Sequence, residues 1–426
     1  MVKNHEINCD LLVIGAGMAG MAASLFAVNR NIDTLQVGIT SEIIFASGLL
    51  DLLGVHPIAD GRSRKNPWKG IKDLCHDNPK HPYAKMAPSM INDALEELVD
   101  FLNTNGLKYV RHENRNASMM TPVGTAKTTY FVPQTMWNGV QALETKAPCL
   151  VLGIKGLKGF SSRQMVAPFK SSWPGLAHAT ISFPGVEDSG EVYLEPLARS
   201  LALPKNRRAL ADEIRSKSKG FRFVGIPAVF GMQAPDHIQA DLEKQVGVRL
   251  FEIPTMPPSI PGLRLKEAFA SALPKRGGRC LYQKKVLGVQ KEGRAFVVKI
   301  GDDLSENIVR ARGVVLASGR FLGKGLFADR KLIRESIFNL PVYQPERRSE
   351  WHCYEFLAPA GHPINSAGLE TDDQFRPLEV SGKAAYEMLF AAGSILAHQD
   401  WMRTKCGSGL AVATAFAAVN AFLSVA

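Results

Sequence analysis

A chain of 426 residues, 46% apolar and 21% charged, has enough material for two or three domains around a large core. Its formal charge of +11 and pI near 9.3 come from dispersed basic residues. No aromatic-interleaved basic stripe accompanies them, which disfavours nucleic acid and leaves phosphorylated substrates, acidic protein surfaces or anionic headgroups. The six cysteines, at 9, 75, 149, 280, 353 and 406, form no CxxC and no Cys/His metal spacing. They read as reduced thiols, and the chain has no iron–sulfur ligand set of its own.

The polar first residues lead straight into a strand, so no secretory signal is expected. Residues 10–14 read as a short strand buried on both faces. Gly15, Gly17 and Gly20 follow at GxGxxG spacing and open a helix of small apolar residues. In that context Gly15 permits the tight turn, Gly17 lets backbone approach a pyrophosphate, and Gly20 lets the helix lie close to the sheet. The next strand, 33–37, should end in a carboxylate for the ribose hydroxyls, but Gly38 holds that place and the nearest acid is Glu42. Either another group satisfies the ribose, or adenosine binding is altered, or the ligand is a shorter flavin with no adenosine.

Residues 60–275 form a large insertion with its own alternation. Strands are expected at 148–153, 178–183, 221–229 and 248–253, and helices at 195–217 and 235–246. Prolines at 254, 257, 258 and 261 close it. Residues 283–300 read as two strands joined at Glu292-Gly293, and 307–312 as a third. An apolar strand over 313–319 then ends in Ser318-Gly319, a second over 387–394 ends in Gly393-Ser394, and Cys406-Gly407-Ser408-Gly409 opens the last helix. The run 407–426 is rich in small residues and suits a helix packed on a sheet rather than a membrane span. Two strands ending in small residues and a glycine-opened helix are what a flavin requires, because its ring presses on backbone and a helix dipole can stabilise its pyrimidine end. The expected architecture is α/β, a Rossmann-like FAD/NAD(P)-binding fold with a large inserted α/β cap. Its parts are 1–59 (flavin domain, first part), 60–275 (cap or substrate lobe) and 276–426 (flavin domain, second part).

Motifs spread over nearly the whole chain carry a resemblance. They include Ser47-Gly48 with Asp51, His81-Pro82-Tyr83, Thr121-Pro122 with Gly124-Thr125, and Gly153 with Gly156. Further on come Ile226-Pro227 with Gly231, Pro254 with Pro257-Pro258-Ser259 and Arg264, Ser318-Gly319, Glu350-Trp351, Thr371-Asp372 with Arg376-Pro377, and the 406–409 run. With these the chain resembles the B subunits of anaerobic glycerol-3-phosphate dehydrogenase, flavoproteins related more distantly to the fumarate reductase and succinate dehydrogenase group. The resemblance implies a complex on the cytoplasmic face of the inner membrane, attached peripherally through its partners. There the A and B subunits oxidise sn-glycerol 3-phosphate to dihydroxyacetone phosphate, and an iron–sulfur C subunit passes electrons to the quinone pool. It implies FMN, whereas the glycine fingerprint argues for FAD. It also places Ser47 and Gly48 at the cofactor, beside Gly15, Gly17, Gly20, Ser318, Gly319, Gly393, Ser394, Gly407, Ser408 and Gly409. Ser394 stands where many FAD proteins carry an aspartate for the ribityl chain.

Flavin oxidation of a secondary alcohol needs a hydride path, a base and an anchor for the phosphate. Arg264, Arg348 and Arg376 are the candidate anchors, since a guanidinium pairs with phosphate in two-point fashion. His352 and His362 are the histidines in the right region for a base, and the resemblance carries nothing over to His352. A related flavoprotein acting on another hydroxyacid, and a non-catalytic structural partner, remain as alternatives.

Overall fold

The computed structural model describes residues 5–39, 43–186, 190–302 and 305–425. In chain order the elements that frame the site begin with β1 (His5–Ile14), α1 (Met18–Asn29), β2 (Thr34–Gly38) and α2 (Pro67–Asp77). Next come β3 (Cys149–Ile154), β4 (Leu176–Ile181), α3 (Leu194–Ser200), α4 (Pro204–Lys217), β5 (Phe223–Pro227), α5 (Pro235–Val246), β6 (Arg249–Ile253) and α6 (Ile260–Lys275). The chain closes with β7 (Arg279–Tyr282), β8 (Lys285–Glu292), β9 (Ala295–Gly301), β10 (Glu306–Leu316), β11 (Leu389–Ala391) and α7 (Gly407–Val425).

The chain divides into two compact units, Met1–Ile43 with Asp51–Leu98 and Phe269–Ala426, and Ile44–Leu50 with Val99–Ala268. The first unit holds a seven-stranded sheet in the order β7-β2-β1-β10-β9-β8, with β11 also on β10. β7, β2, β1 and β10 run parallel, while β10, β9 and β8 form an antiparallel meander. Leu11, Leu12 and Val13 of β1 and Val314, Val315 and Leu316 of β10 are buried, as a parallel strand covered on both faces demands. Residues 51–98 group with this unit rather than with the insertion. The Tyr83 hydroxyl donates to the Leu52 carbonyl at 2.9 Å, and the Gly409 amide donates to Asp51 O at 2.7 Å. The second unit is built on a four-stranded parallel sheet, β6-β5-β3-β4.

Two expectations about elements are corrected. The stretch read as strands 307–312 and 313–319 is one strand, β10, whose first half pairs with β9 and whose last three residues pair with β11. The helix expected over 195–217 is two, because Pro204 has no N–H to continue α3 and instead starts α4. One helix among the described residues, Gly407–Val425, is long and apolar enough to cross a membrane, but 67% of its apolar window is buried inside the protein. It packs on α1, with Phe26 and Phe416 edge to face at 5.1 Å.

Candidate functional site

The site in the first unit starts where β1 ends. Gly15 adopts φ +133°, and a Cβ there would sit 2.1 Å from the Ala317 carbonyl oxygen, so only glycine allows β1 and β10 to finish side by side. Its N–H donates to Val37 O at 2.8 Å and its carbonyl accepts from the buried Gln36 amide at 2.9 Å. Gln36 thus fixes the peptide plane of the turn from beneath. α1 then begins after Gly17, which is in extended backbone, with no side chain among the described residues capping its amides and no acid in its first turn. An uncapped helix N-terminus offers N–H groups and the positive dipole end to an anion. A Cβ on Gly20 would fall 2.1 Å from Gly15 O, so the third glycine sets the close helix–turn packing.

Other loops converge on this turn. Gly393, at φ +81°, lies against Ala19, where a Cβ would approach to 2.6 Å, and its amide donates to Thr414 Oγ1 at 2.9 Å. Ser318 Oγ, beyond the end of β10, is buried without a hydrogen-bond partner among the described residues. Arg320 follows at once. Its guanidinium donates to the carbonyls of Ser394 (2.6 Å), Leu396 (3.2 Å) and Gln399 (2.9 Å) and to Asn365 O, tying the loop after β11 to the loop after β10. Burial lowers the Arg320 pKa to about 10, against the pull of Asp400. A backbone-lined cradle, an uncapped helix and an orphaned hydroxyl fit a dinucleotide's pyrophosphate. The missing ribose carboxylate also has a steric reason. A Cβ at Gly38 would come within 2.8 Å of Ala16 N, so the end of β2 has no room for a side chain beside the turn. Glu42 lies outside the described residues.

The structure brings Gly15, Gly17, Gly20, Gly393 and Ser394 together with Ser318 and Gly319. The other predicted residues make different contacts. A Cβ on Gly409 would meet Asp51 O at 2.7 Å and one on Gly407 the Trp401 ring at 2.9 Å, while Ser408 Oγ accepts from Asp51 N at 2.7 Å. These contacts pack the start of α7 against the protein itself. Ser47 and Gly48 belong to the second unit, where Gly48 backs onto Pro261 and its carbonyl accepts from the Tyr109 hydroxyl at 2.8 Å.

The candidate anchors are also engaged. Arg264 is buried in a two-point pair with Glu252, at 2.6 and 2.7 Å, and donates to Gly231 O at 2.8 Å. Its guanidinium completes the core of the second unit rather than facing a ligand. Burial opposes the charge on Glu252, yet Arg264, Thr135 and the Phe230 amide together hold its carboxyl below the usual range. Arg376 pairs with Asp372 at 2.8 Å. Arg348 is exposed, stacked over Trp351 at 5.0 Å and bonded to Asp329 O. His352 is exposed, 5.3 Å from the ring of His362, which bonds Cys353 N and Phe356 O. Gln36 and Arg320 escaped the sequence reading, although a glutamine inside an apolar strand and an arginine directly after Ser318-Gly319 were both visible signals.

Residues 10–410 match the family described as FAD binding domain. The chain is 30% identical to a Vibrio vulnificus protein named as the B subunit of anaerobic glycerol-3-phosphate dehydrogenase, over 97% of this chain and 96% of that one. Proteins of the same name from Vibrio cholerae (29%; 97% and 96% covered) and Yersinia pseudotuberculosis (28%; 95% and 96%) are similar. Among solved structures, 3-ketosteroid Δ1-dehydrogenase of Sterolibacterium denitrificans aligns over 98% of this chain and all of its own, at 11% identity and a TM-score of 0.46. FAD is the cofactor of the matched family, and the chain is a flavoprotein of the oxidoreductase class. It belongs to the FAD binding domain family, and within it to the family of anaerobic glycerol-3-phosphate dehydrogenase B subunits.

Proposed function

We propose that the chain is the FAD-carrying B subunit of a dehydrogenase that oxidises sn-glycerol 3-phosphate to dihydroxyacetone phosphate. A flavoprotein A subunit and an iron–sulfur C subunit complete the complex and deliver electrons to the quinone pool. The observation that carries the reading is the end-to-end similarity to relatives of that name, joined to a cradle suited to a dinucleotide. Gly15, Gly17 and Gly20 and the first amides of α1 would hold the pyrophosphate, with Ser318, Gly319, Gly393 and Ser394 along the rest of the cofactor. Bound FAD supplies a two-electron acceptor for hydride. The chain's own residues fix the cofactor's seat: Gln36 holds the Gly15 peptide, and Arg320 locks the loops after β10 and β11. Attachment to the cytoplasmic face of the membrane runs through the partners, in keeping with the buried face of α7.

Glycerol 3-phosphate added under argon to the assembled complex, with FAD on this chain, should bleach this chain's visible flavin bands. Absorption unchanged by glycerol 3-phosphate, with dithionite still reducing the flavin, would remove the substrate assignment. Mass analysis of acid-released cofactor should return FAD.

A further inference from the structure

Beyond the cradle, the first unit gathers an unassigned set of ionisable side chains after the carboxyl end of β11. His398 Nε2 lies 2.7 Å from Glu370 Oε1, and the Lys80 ammonium lies 3.3 Å from the same oxygen. Because a carboxylate only accepts, Nε2 carries the ring hydrogen and Nδ1 keeps its lone pair. Nδ1 has no partner among the described residues and is not sealed from solvent. The ring packs on Tyr343 with centroids 4.1 Å apart.

The backbone at His398 is held with equal care. It adopts φ +62°, a left-handed conformation costly for a residue with a side chain. Its N–H donates to Ser366 O and its carbonyl accepts from Asn78 Nδ2, each at 2.9 Å. Residues 394, 396 and 399 around it are tied by Arg320, which leaves the loop after β10. β10 and β11 are parallel neighbours, and ligands of such sheets gather beyond the carboxyl ends of the strands.

An imidazole with one nitrogen oriented by a carboxylate and the other open is the arrangement of a positioned base. We propose that His398, oriented by Glu370, takes the hydroxyl proton of a phosphorylated secondary alcohol whose phosphate pairs with Lys80. This rests on the dehydrogenase reading above. The alcohol O–H breaks and its proton goes to Nδ1. The carbinol C–H leaves with its electron pair as hydride to FAD, the oxidant, and a C=O bond forms. Glu370 is a positioning residue. Burial holds His398 below the ordinary histidine pKa, so it is neutral and able to accept a proton. Glu370 acts against that shift, while Lys80 and Lys85 add to it. His81, itself kept neutral by burial, is a further neighbour, and the Lys85 ammonium is spent on Thr371.

The test uses the full chain loaded with FAD in its complex, ring-labelled with 15N at histidine and assigned with His398→Gln. The His398 Nδ1 resonance should report an unprotonated nitrogen and move on addition of glycerol 3-phosphate. His398→Gln should slow flavin reduction at least about 100-fold with little change in affinity, and Lys80→Gln should weaken affinity. Reduction should fail at a pH below the ordinary histidine value of about 6.5. Glu370→Gln should push that acid limb lower still, which a purely structural role would not do. An unmoved resonance at saturating ligand, or wild-type reduction by His398→Gln, overturns the proposal. If glycerol 3-phosphate reduces nothing in the wild type, the substrate reading fails by itself. The site then stands if inorganic phosphate shifts the His398 resonance and Lys80→Gln abolishes that shift, and falls if it does not.

Discussion

The two units contain the same opening phrase with opposite endings. β1 runs into Gly15-Ala-Gly17-Met-Ala-Gly20, and β3 contains Gly153 and is followed by Lys155-Gly156-Leu-Lys-Gly159. Both are buried parallel strands followed by a helix. After β1 the helix begins at Met18 with no side chain among the described residues on its first amides. After β3 the chain wanders to Ser161, whose hydroxyl accepts from the Gln164 amide at 3.3 Å and caps the helix Ser162–Val166. One turn leaves its donors for a guest and the other satisfies them from within. Arginines are used differently as well. In the first unit Arg320 spends its donors on backbone carbonyls around the cradle, whereas the second unit seals Arg264 against Glu252. Glycine spacing alone does not make an anion site; it needs a helix start that no side chain has already claimed.

The strongest way to break this contrast is Gly15→Val. The branched side chain would overlap Ala317 O and occupy a positive φ, so purified protein should retain no FAD. Retention at wild-type stoichiometry would show that the turn is not the cofactor's seat. Next, Arg264→Met leaves Glu252 charged in a sealed core and should cost about 3–5 kcal/mol in urea unfolding. FAD content should hold in whatever fraction folds, and a cost under about 1 kcal/mol would mean the pair is not structural. Gly17→Asp sharpens the comparison, because Gly17 has extended backbone open to any residue. Its carboxylate would cap α1, raising the apoprotein's stability by about 1 kcal/mol while displacing FAD. The smallest effect belongs to Ser161→Ala, which should cost about 1 kcal/mol in thermal unfolding and leave FAD binding unchanged.

The strand–turn–helix at the start was legible because every local choice in it agrees: an apolar run, three glycines, then small residues. The hairpin at Glu292-Gly293 was legible for the same reason. The packing of Gly407 on Trp401 and of Gly409 on Asp51 was not, since a glycine that admits a ligand and one that admits a neighbour look alike in a string. Arg264 was misread because its partner lies on a different element, although a glutamate inside the apolar strand β6 was itself a sign of a buried cation. Arg320 and His398 acquire meaning only once the loops after β10 and β11 are side by side, a contact no local pattern encodes.

The threading of the large sheet has a consequence for how the protein is made. β1 is synthesised some three hundred residues before its neighbour β10, as the pairing of Leu11 with Gly313 records. The second unit ends at Ala268, before β7 has appeared, so its four strands can assemble while the nascent β1 and α1 still lack a neighbour on one side. Until β10 is made, the edge of β1 that carries the buried run Leu11–Ile14 has β2 on one side and no strand on the other. The order of the strands thus leaves one edge of the cofactor-binding strand open until β10 is synthesised.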